Sequence, residues 1–339
     1  MTPSRMGTWA LKRVLFHSGL LTLAGLAQRR AGGLVLRYHA ITPDSREVPY
    51  ATPDICLPVE AFRVQMAFVK RAYTVLSLDE LVDRVRRGAK LPPRALAITF
   101  DDGYADNHRL AFPVLQRLGL PATVYLTSGS VNAGPPLWMS AVRALVLAAP
   151  AGDLAVPGLP PVTLGPAAER GPIGRALTRA LVPLPAAERT ERLAAAAAAC
   201  RVDPARVLDG TMLGWDEVRE LARAGWTIGA HTVTHVNVAL AAPEEAEAEI
   251  ARSRDAIAAA VGEPVMHFAY PNTGGAHRYF DGATAAMLGR LGFRSAVTSA
   301  PGLVRPGVSP FALPRIGVSP RLAPVSELAA TLVRQRLAA

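Results

Sequence analysis

The chain has 339 residues, 50% hydrophobic and 6% aromatic, and its 37 basic and 27 acidic side chains leave a net charge of +10. That length and apolar content exclude a disordered chain and suit one large domain, or one domain carrying an insertion. The basic excess is almost all arginine, spread along the chain without a basic-aromatic cluster, which argues against a nucleic-acid partner.

Residues 1–32 contain Arg5, Lys12, Arg13, Arg29 and Arg30 but no acid. The apolar stretch between the basic pairs, Val14 to Ala27, is too short to span a bilayer. It reads as a basic helix lying on a membrane surface or on the domain, with a targeting segment as the alternative. Peripheral membrane association through residues 1–32 is therefore expected. A cytoplasmic or inner-membrane-associated location is preferred to a secreted or periplasmic one.

From residue 33 to 339, short apolar runs alternate with helical patterns. Strands are predicted at Gly33–His39, Ala95–Phe100, Ala122–Leu126, Trp226–Ala230, Val265–Tyr270 and Phe293–Thr298. Helices are predicted at Glu60–Arg71, Leu78–Arg87, Asn107–Leu118, Trp215–Ala224, Pro243–Val261 and Ala283–Leu291. Strand-helix alternation, with strands apolar on both faces, implies a buried parallel sheet in an α/β fold. An incomplete β/α barrel is the economical architecture. The rhythm breaks at about 133–210, which is rich in Ala and Pro and too long for an ordinary loop. It is expected to be an insertion holding a helix or two, serving as a rim lid or a solvent-facing appendage. Cys56 and Cys200 have no metal-ligand spacing and form no disulfide framework.

In parallel α/β folds, catalytic side chains gather at the carboxyl ends of strands. Here those ends carry Asp101 and Asp102, His231 and His235, His39, and Pro271 with Asn272. His231 and His235 are four residues apart, so on a helical turn they would share one face. Two such imidazoles and one carboxylate make a three-ligand zinc-type site with an open fourth position. The second aspartate is then free to act as general base. Gly103 permits the sharp turn behind the pair.

These residues carry a family resemblance. Thr99–Tyr104, reading TFDDGY, resembles the first motif of the NodB-type polysaccharide deacetylases, carbohydrate esterase family 4. His231–His235, reading HTVTH, resembles the second, and Phe268–Asn272, reading FAYPN, is similar to the third. The likeness runs from about Leu34 to Val318 outside the insertion. It implies a distorted or incomplete (β/α)7 barrel and a NodB-like deacetylase domain over 33–339. It also implies a divalent metal, usually zinc, held by Asp102, His231 and His235, with Asp101 as general base. The activity implied is hydrolysis of N-acetyl groups on an N-acetylglucosamine-containing poly- or oligosaccharide. The backbone N–H of Asn272 matches the oxyanion donor, and Tyr104, Tyr270 and Pro271 join the substrate and oxyanion set.

The chain departs from the commoner pattern late in the sequence, where Leu313–Val318 lacks a histidine. The opening RYHAI instead resembles the exopolysaccharide-deacetylase branch, whose early histidine is the acid. His39 is assigned that role, with His277 as the fallback. Arg315 either holds Asp101 ionised or is an ordinary surface arginine. Asn272 stands where an aromatic is usual, so Trp138 is the candidate sugar-stacking face. Two alternatives accompany this reading: an esterase or amidase acting on a smaller acylated substrate, and a carbohydrate-binding protein without activity.

Overall fold

The computed structural model describes residue 18 and residues 32–44, 47–132, 134–272 and 277–338. The expectations for residues 1–32 thus fall almost entirely outside the described residues. No helix among the described residues is long and apolar enough to cross a membrane.

In chain order the strands are β1 (Leu34–Tyr38), β2 (Ala40–Thr42), β3 (Cys56–Pro58), β4 (Thr74–Val75), β5 (Ala95–Phe100) and β6 (Thr123–Leu126). They are followed by β7 (Gly152–Leu154), β8 (Val162–Leu164), β9 (Thr227–Ala230), β10 (His267–Ala269), β11 (Ser295–Val297) and β12 (Ile316–Gly317). The main sheet runs β11-β10-β9-β6-β5-β1-β12, with β4 beside the start of β5. Its pairings are parallel. The sheet curls until Leu313, just ahead of β12, bridges Val297 of β11. The ends of the strand order thereby approach each other, giving the distorted, incomplete (β/α) barrel that the sequence implies.

The strands form here because they are aliphatic and bury both faces. All six residues of β5 are buried, as expected of a strand flanked by neighbours and covered by helices. Phe100 at its end stacks on Trp226 at 5.3 Å between centroids. Such a pair adds about 1 kcal/mol to the burial of the two rings. Gly229 in β9 is required by close approach. A Cβ there would lie 2.4 Å from the Tyr125 ring and 3.0 Å from the His267 carbonyl oxygen.

The helices Val59–Ala72, Leu78–Arg86, Trp215–Arg223, Pro243–Val261 and Gly282–Arg290 lie where periodicity put them. The helix predicted over 107–118 differs. It opens with a π-helical turn, Asn107–Ala111, before the α-helix Phe112–Leu118. The Asn107 amide there donates to the His39 carbonyl at 2.7 Å, tying the turn to the end of β1. A further helix, Val325–Ala338, was not predicted; it packs on Val59–Ala72.

The Ala/Pro-rich stretch is more ordered than expected. It contains the helices Trp138–Ala148, Gly171–Leu181 and Ala186–Ala199, a short helix Pro204–Val207, and the antiparallel hairpin β7–β8. Leu145, Leu154, Leu181 and Leu193 belong to a hydrophobic cluster of its own, separate from the barrel core.

Candidate active site

Asp101 and Asp102 leave β5, and His231 leaves β9 two strands away. The backbone there is unusual. Asp102 has φ +75°, Gly103 +85°, Thr232 +65° and His235 +57°. Left-handed residues other than glycine cost about 1–3 kcal/mol each and persist only when their surroundings enforce them. The expected helical turn from His231 to His235 is absent, because these left-handed residues fold the segment into a loop. The two imidazoles still meet, with centroids 4.7 Å apart.

Several contacts enforce the loop. Glu249, on the helix Pro243–Val261, accepts from the backbone N–H of Val233 at 2.9 Å and of Thr234 at 2.8 Å. It also accepts from the Thr234 hydroxyl at 3.0 Å. The Trp138 indole N–H donates to the His235 carbonyl at 3.3 Å. His231 Nδ1–H donates to the Ala269 carbonyl of β10 at 2.7 Å.

That last bond fixes the tautomer and leaves the lone pair of His231 on Nε2. Nε2 faces Asp102 Oδ1 at 3.5 Å, and His235 Nε2 lies 3.3 Å from the same oxygen. All three residues are buried. An imidazole lone pair aimed at a buried carboxylate oxygen is repulsive unless a cation lies between them. Asp102, His231 and His235, with ligand atoms within 4.8 Å of one another, therefore fit a divalent metal. Nitrogen and oxygen donors of this kind suit zinc among several ions.

Asp101 has different partners. Arg315 grips it with both arms, Nη1 to Oδ1 at 2.6 Å and Nη2 to Oδ2 at 2.7 Å. Burial would raise the Asp101 pKa, but the charge of Arg315 and its hydrogen bonds outweigh it and hold the carboxyl at about 2. For Asp102 burial again opposes, and the adjoining His231 and His235 hold it well below the usual carboxylate range. His39 Nε2 lies 3.8 Å from Asp101 Oδ2. Burial lowers its pKa to about 4, against the attraction of Asp102 and with the help of Arg37. Its imidazole is therefore neutral at rest near pH 7.

A cavity of about 410 Å³ opens over these groups, and its wall includes Tyr104, Tyr270 and Asn272. Pro271 is buried beside them. Arg315 does not line the cavity; it acts on Asp101 from behind rather than as a substrate contact. Trp138 corrects an expectation. It is 7% exposed, carries the Arg189 guanidinium over its ring at 4.4 Å and does not line the cavity. No face remains for a sugar. His277 is exposed and lies off the cavity wall, so only His39 of the two candidate acids reaches Asp101.

Residues unremarked in the sequence complete the site. Glu249 is one; its signal is an acid adjoining the buried stripe of Ala246, Ile250, Ser253 and Ile257. Another is Arg37, which lines the cavity and donates to the Ser299 hydroxyl. A third is Asp106, which accepts from Ile41 N–H at 3.0 Å and the Tyr50 hydroxyl at 2.9 Å. It fastens the loop that carries Tyr50 to the cavity wall.

Comparison with known proteins agrees with this geometry. The family model for polysaccharide deacetylases matches residues 88–149 and 177–295. A Bacillus subtilis protein, YxkH, named as a polysaccharide deacetylase, is 28% identical over 99 residues, covering 29% of this chain and 33% of its own length. The poly-beta-1,6-N-acetyl-D-glucosamine N-deacetylase of Escherichia coli K12 is 27% identical over 92 residues, covering 27% of this chain and 13% of its own. The matches thus span a third or less of either curated relative. Among solved structures, the Streptococcus pyogenes deacetylase PplD in complex with acetate superposes with a TM-score of 0.59 at 18% identity, covering 89% of this chain and 98% of that one. IcaB from Ammonifex degensii gives 0.58 at 20% identity, covering 90% and 98%. These two show the shared fold. A family model that spans more than half of the chain, and includes the strand ends bearing Asp101, Asp102, His231 and His235, settles the kinship: the chain belongs to the polysaccharide deacetylase family.

Proposed function

We propose that the chain is a metal-dependent hydrolase that removes N-acetyl groups from an N-acetylglucosamine-containing poly- or oligosaccharide. The observation that carries this reading is the division of labour within one dipeptide. Asp102 faces two imidazoles, while its neighbour Asp101 is clamped by Arg315 and faces His39. The names of the relatives support the substrate class, one of them being a deacetylase of poly-N-acetylglucosamine.

In this reading Asp102, His231 and His235 hold the metal ion, with zinc the proposed identity. When bound, it supplies Lewis-acid polarisation of the acyl carbonyl and activation of a water molecule. Asp101, kept ionised by Arg315, takes the proton from the attacking water. His39, neutral at rest, can act as a general acid only by first gaining a proton. The 3.8 Å separation from Asp101 Oδ2 lets a small side-chain rotation make that transfer. His39 then delivers the proton to the departing amine nitrogen. The Asn272 backbone N–H is the proposed donor to the oxyanion. Tyr104, Tyr270 and Pro271 shape the wall that orients the sugar.

Acetate release from N-acetylglucosamine oligomers by zinc-loaded protein, beside Asp101→Asn and His39→Ala, tests the proposal. Release by the wild type with a drop of about 10²-fold or more in each variant is expected. Full activity of His39→Ala would remove it from the proton path. One feature favours a second reading, an esterase or amidase of smaller acylated substrates. The insertion walls part of the cavity, with Met139 and Ser140 of one helix and Gly174 and Thr178 of another at its surface. Turnover of a small acyl ester combined with inertness towards every oligomer would select that reading.

A further inference from the structure

The cavity extends beyond the catalytic groups along the helix Gly171–Leu181. Gly171, Gly174, Arg175, Thr178 and Arg179 line it. These are positions i, i+3, i+4, i+7 and i+8, a single helical stripe facing the cavity. The space beside Gly174 is open, since a Cβ there would meet nothing within 4 Å. Arg175 and Arg179 lie one turn apart and are exposed. Among the described residues neither has a carboxylate partner.

Arg170, at the head of the same helix, also lines the cavity although it is only 5% exposed. Its guanidinium donates to the carbonyls of Gly165 at 2.7 Å, Val146 at 2.9 Å and Ala149 at 2.6 Å. Val146 and Ala149 close the C-terminus of the helix Trp138–Ala148, whose dipole favours a cation there, so Arg170 is held in place by the backbone and adds fixed positive potential to this arm of the cavity. The carboxylates on the cavity wall are Asp54, Asp101 and Asp102. Asp101 is already neutralised by Arg315, and Asp102 faces the two histidines. The family model leaves residues 150–176 unmatched, so Arg170 and Arg175 lie outside the matched segments.

We infer that the arm of the cavity built by Arg170, Arg175 and Arg179 binds an anionic group of the substrate, a carboxylate or a phosphate monoester carried on the glycan near the acetylated sugar. The inference rests on the deacetylase reading and narrows it to acidic glycans. Guanidinium forks match both groups, with charge-assisted hydrogen bonds.

The test compares three N-acetylglucosamine oligomers of equal length: one neutral, one carrying a uronic acid and one a sugar 6-phosphate. Acetate release is measured with zinc-loaded wild type, with the double variant Arg175→Gln/Arg179→Gln, and with Arg117→Gln as an exposed-arginine control. The wild type should show a KM about tenfold lower for an acidic oligomer than for the neutral one, with similar kcat, and 0.5 M salt should erode the difference. Whichever acid is preferred identifies the source of the anion. The double variant should raise that KM to the neutral value, and the control should keep the preference. Equal KM values for all three oligomers, or a preference that survives in the double variant, would overturn the inference while leaving the deacetylase reading intact. Absence of any release would count against the deacetylase reading itself. Calorimetric binding of the same oligomers to Asp101→Asn protein, with and without the double substitution, would then decide the inference on its own. Tighter, arginine-dependent binding of an acidic oligomer supports it, and equal binding overturns it.

Discussion

Replacing Arg315 by Met should expose how strongly the barrel depends on the Asp101 clamp. Arg315 is buried, makes two short bonds to Asp101 and also donates to the Thr298 carbonyl at 2.9 Å. Methionine has a similar reach but no charge, so it leaves a buried carboxylate alone. The native carboxyl is held near 2, against an ordinary 3.8. That displacement corresponds to about 2–3 kcal/mol favouring the ionised form. Without the guanidinium, burial dominates and the pKa rises above its ordinary value, so breaking the pair should cost about 3–5 kcal/mol at pH 7. The pH dependence has a definite sign. In the wild type the depressed pKa contributes stability above about pH 4, and this is lost as pH falls towards 2. In the variant the raised pKa makes stability fall as pH rises above about 4, up to that raised value. The gap between the two proteins should therefore be widest at pH 7 and shrink towards pH 4. Urea unfolding followed by circular dichroism, with chelator present to exclude metal, measures both. A loss under about 1 kcal/mol at pH 7, or parallel pH profiles, would show that Arg315 does not hold Asp101 ionised.

Three further outcomes can be checked. Zinc should raise the melting temperature of the wild type but not of Asp102→Ala or His231→Ala, because a ligand stabilises only a fold that binds it; equal shifts would place the metal elsewhere. Glu249→Ala should lower zinc affinity by about tenfold or more while leaving Asp102, His231 and His235 in place, since it frees the backbone of Val233 and Thr234. Unchanged affinity in a zinc titration would make Glu249 a bystander. Burial raises the Asp106 pKa to about 7, against hydrogen bonds from Ile41, Tyr50 and Asn107. The folded state then holds a proton that the unfolded chain releases near pH 4, so wild-type stability should fall between pH 4 and 7, by about 4 kcal/mol at most. Asp106→Asn should gain on the wild type across that window, and a constant difference from pH 4 to 8 would refute the assignment.

Much of this architecture is legible in the sequence because its causes are local. Apolar runs such as Ala95–Phe100 mark buried strands by composition, and Pro243–Val261 carries its own start signal of Pro243, Glu244 and Glu245. The candidate site residues stand out because Asp101–Asp102 and His231–His235 are short, unusual clusters at strand ends. The six-residue β5 coincides with its predicted bounds, whereas the two-residue strands β4 and β12 are too short to leave a periodic pattern. In the insertion, helices are punctuated by prolines that read as loop, and the cluster around Leu145 and Leu193 forms only when they pack.

What depends on the approach of distant segments could be decided only by the tertiary structure. Arg315 and Asp101 are 214 residues apart, so nothing local distinguishes a clamp from a surface arginine. Trp138 looks like an available stacking face until Arg189 is laid over it. The spacing of His231 and His235 suggests a helical turn, yet Glu249, Trp138 and the neighbouring strands hold a left-handed loop instead. Residue types and local periodicity set which groups gather at the strand ends. Which of them carries charge, which is covered and which faces the cavity follows from packing, because burial and neighbouring charge, not residue identity, fix the energy of an ionised side chain.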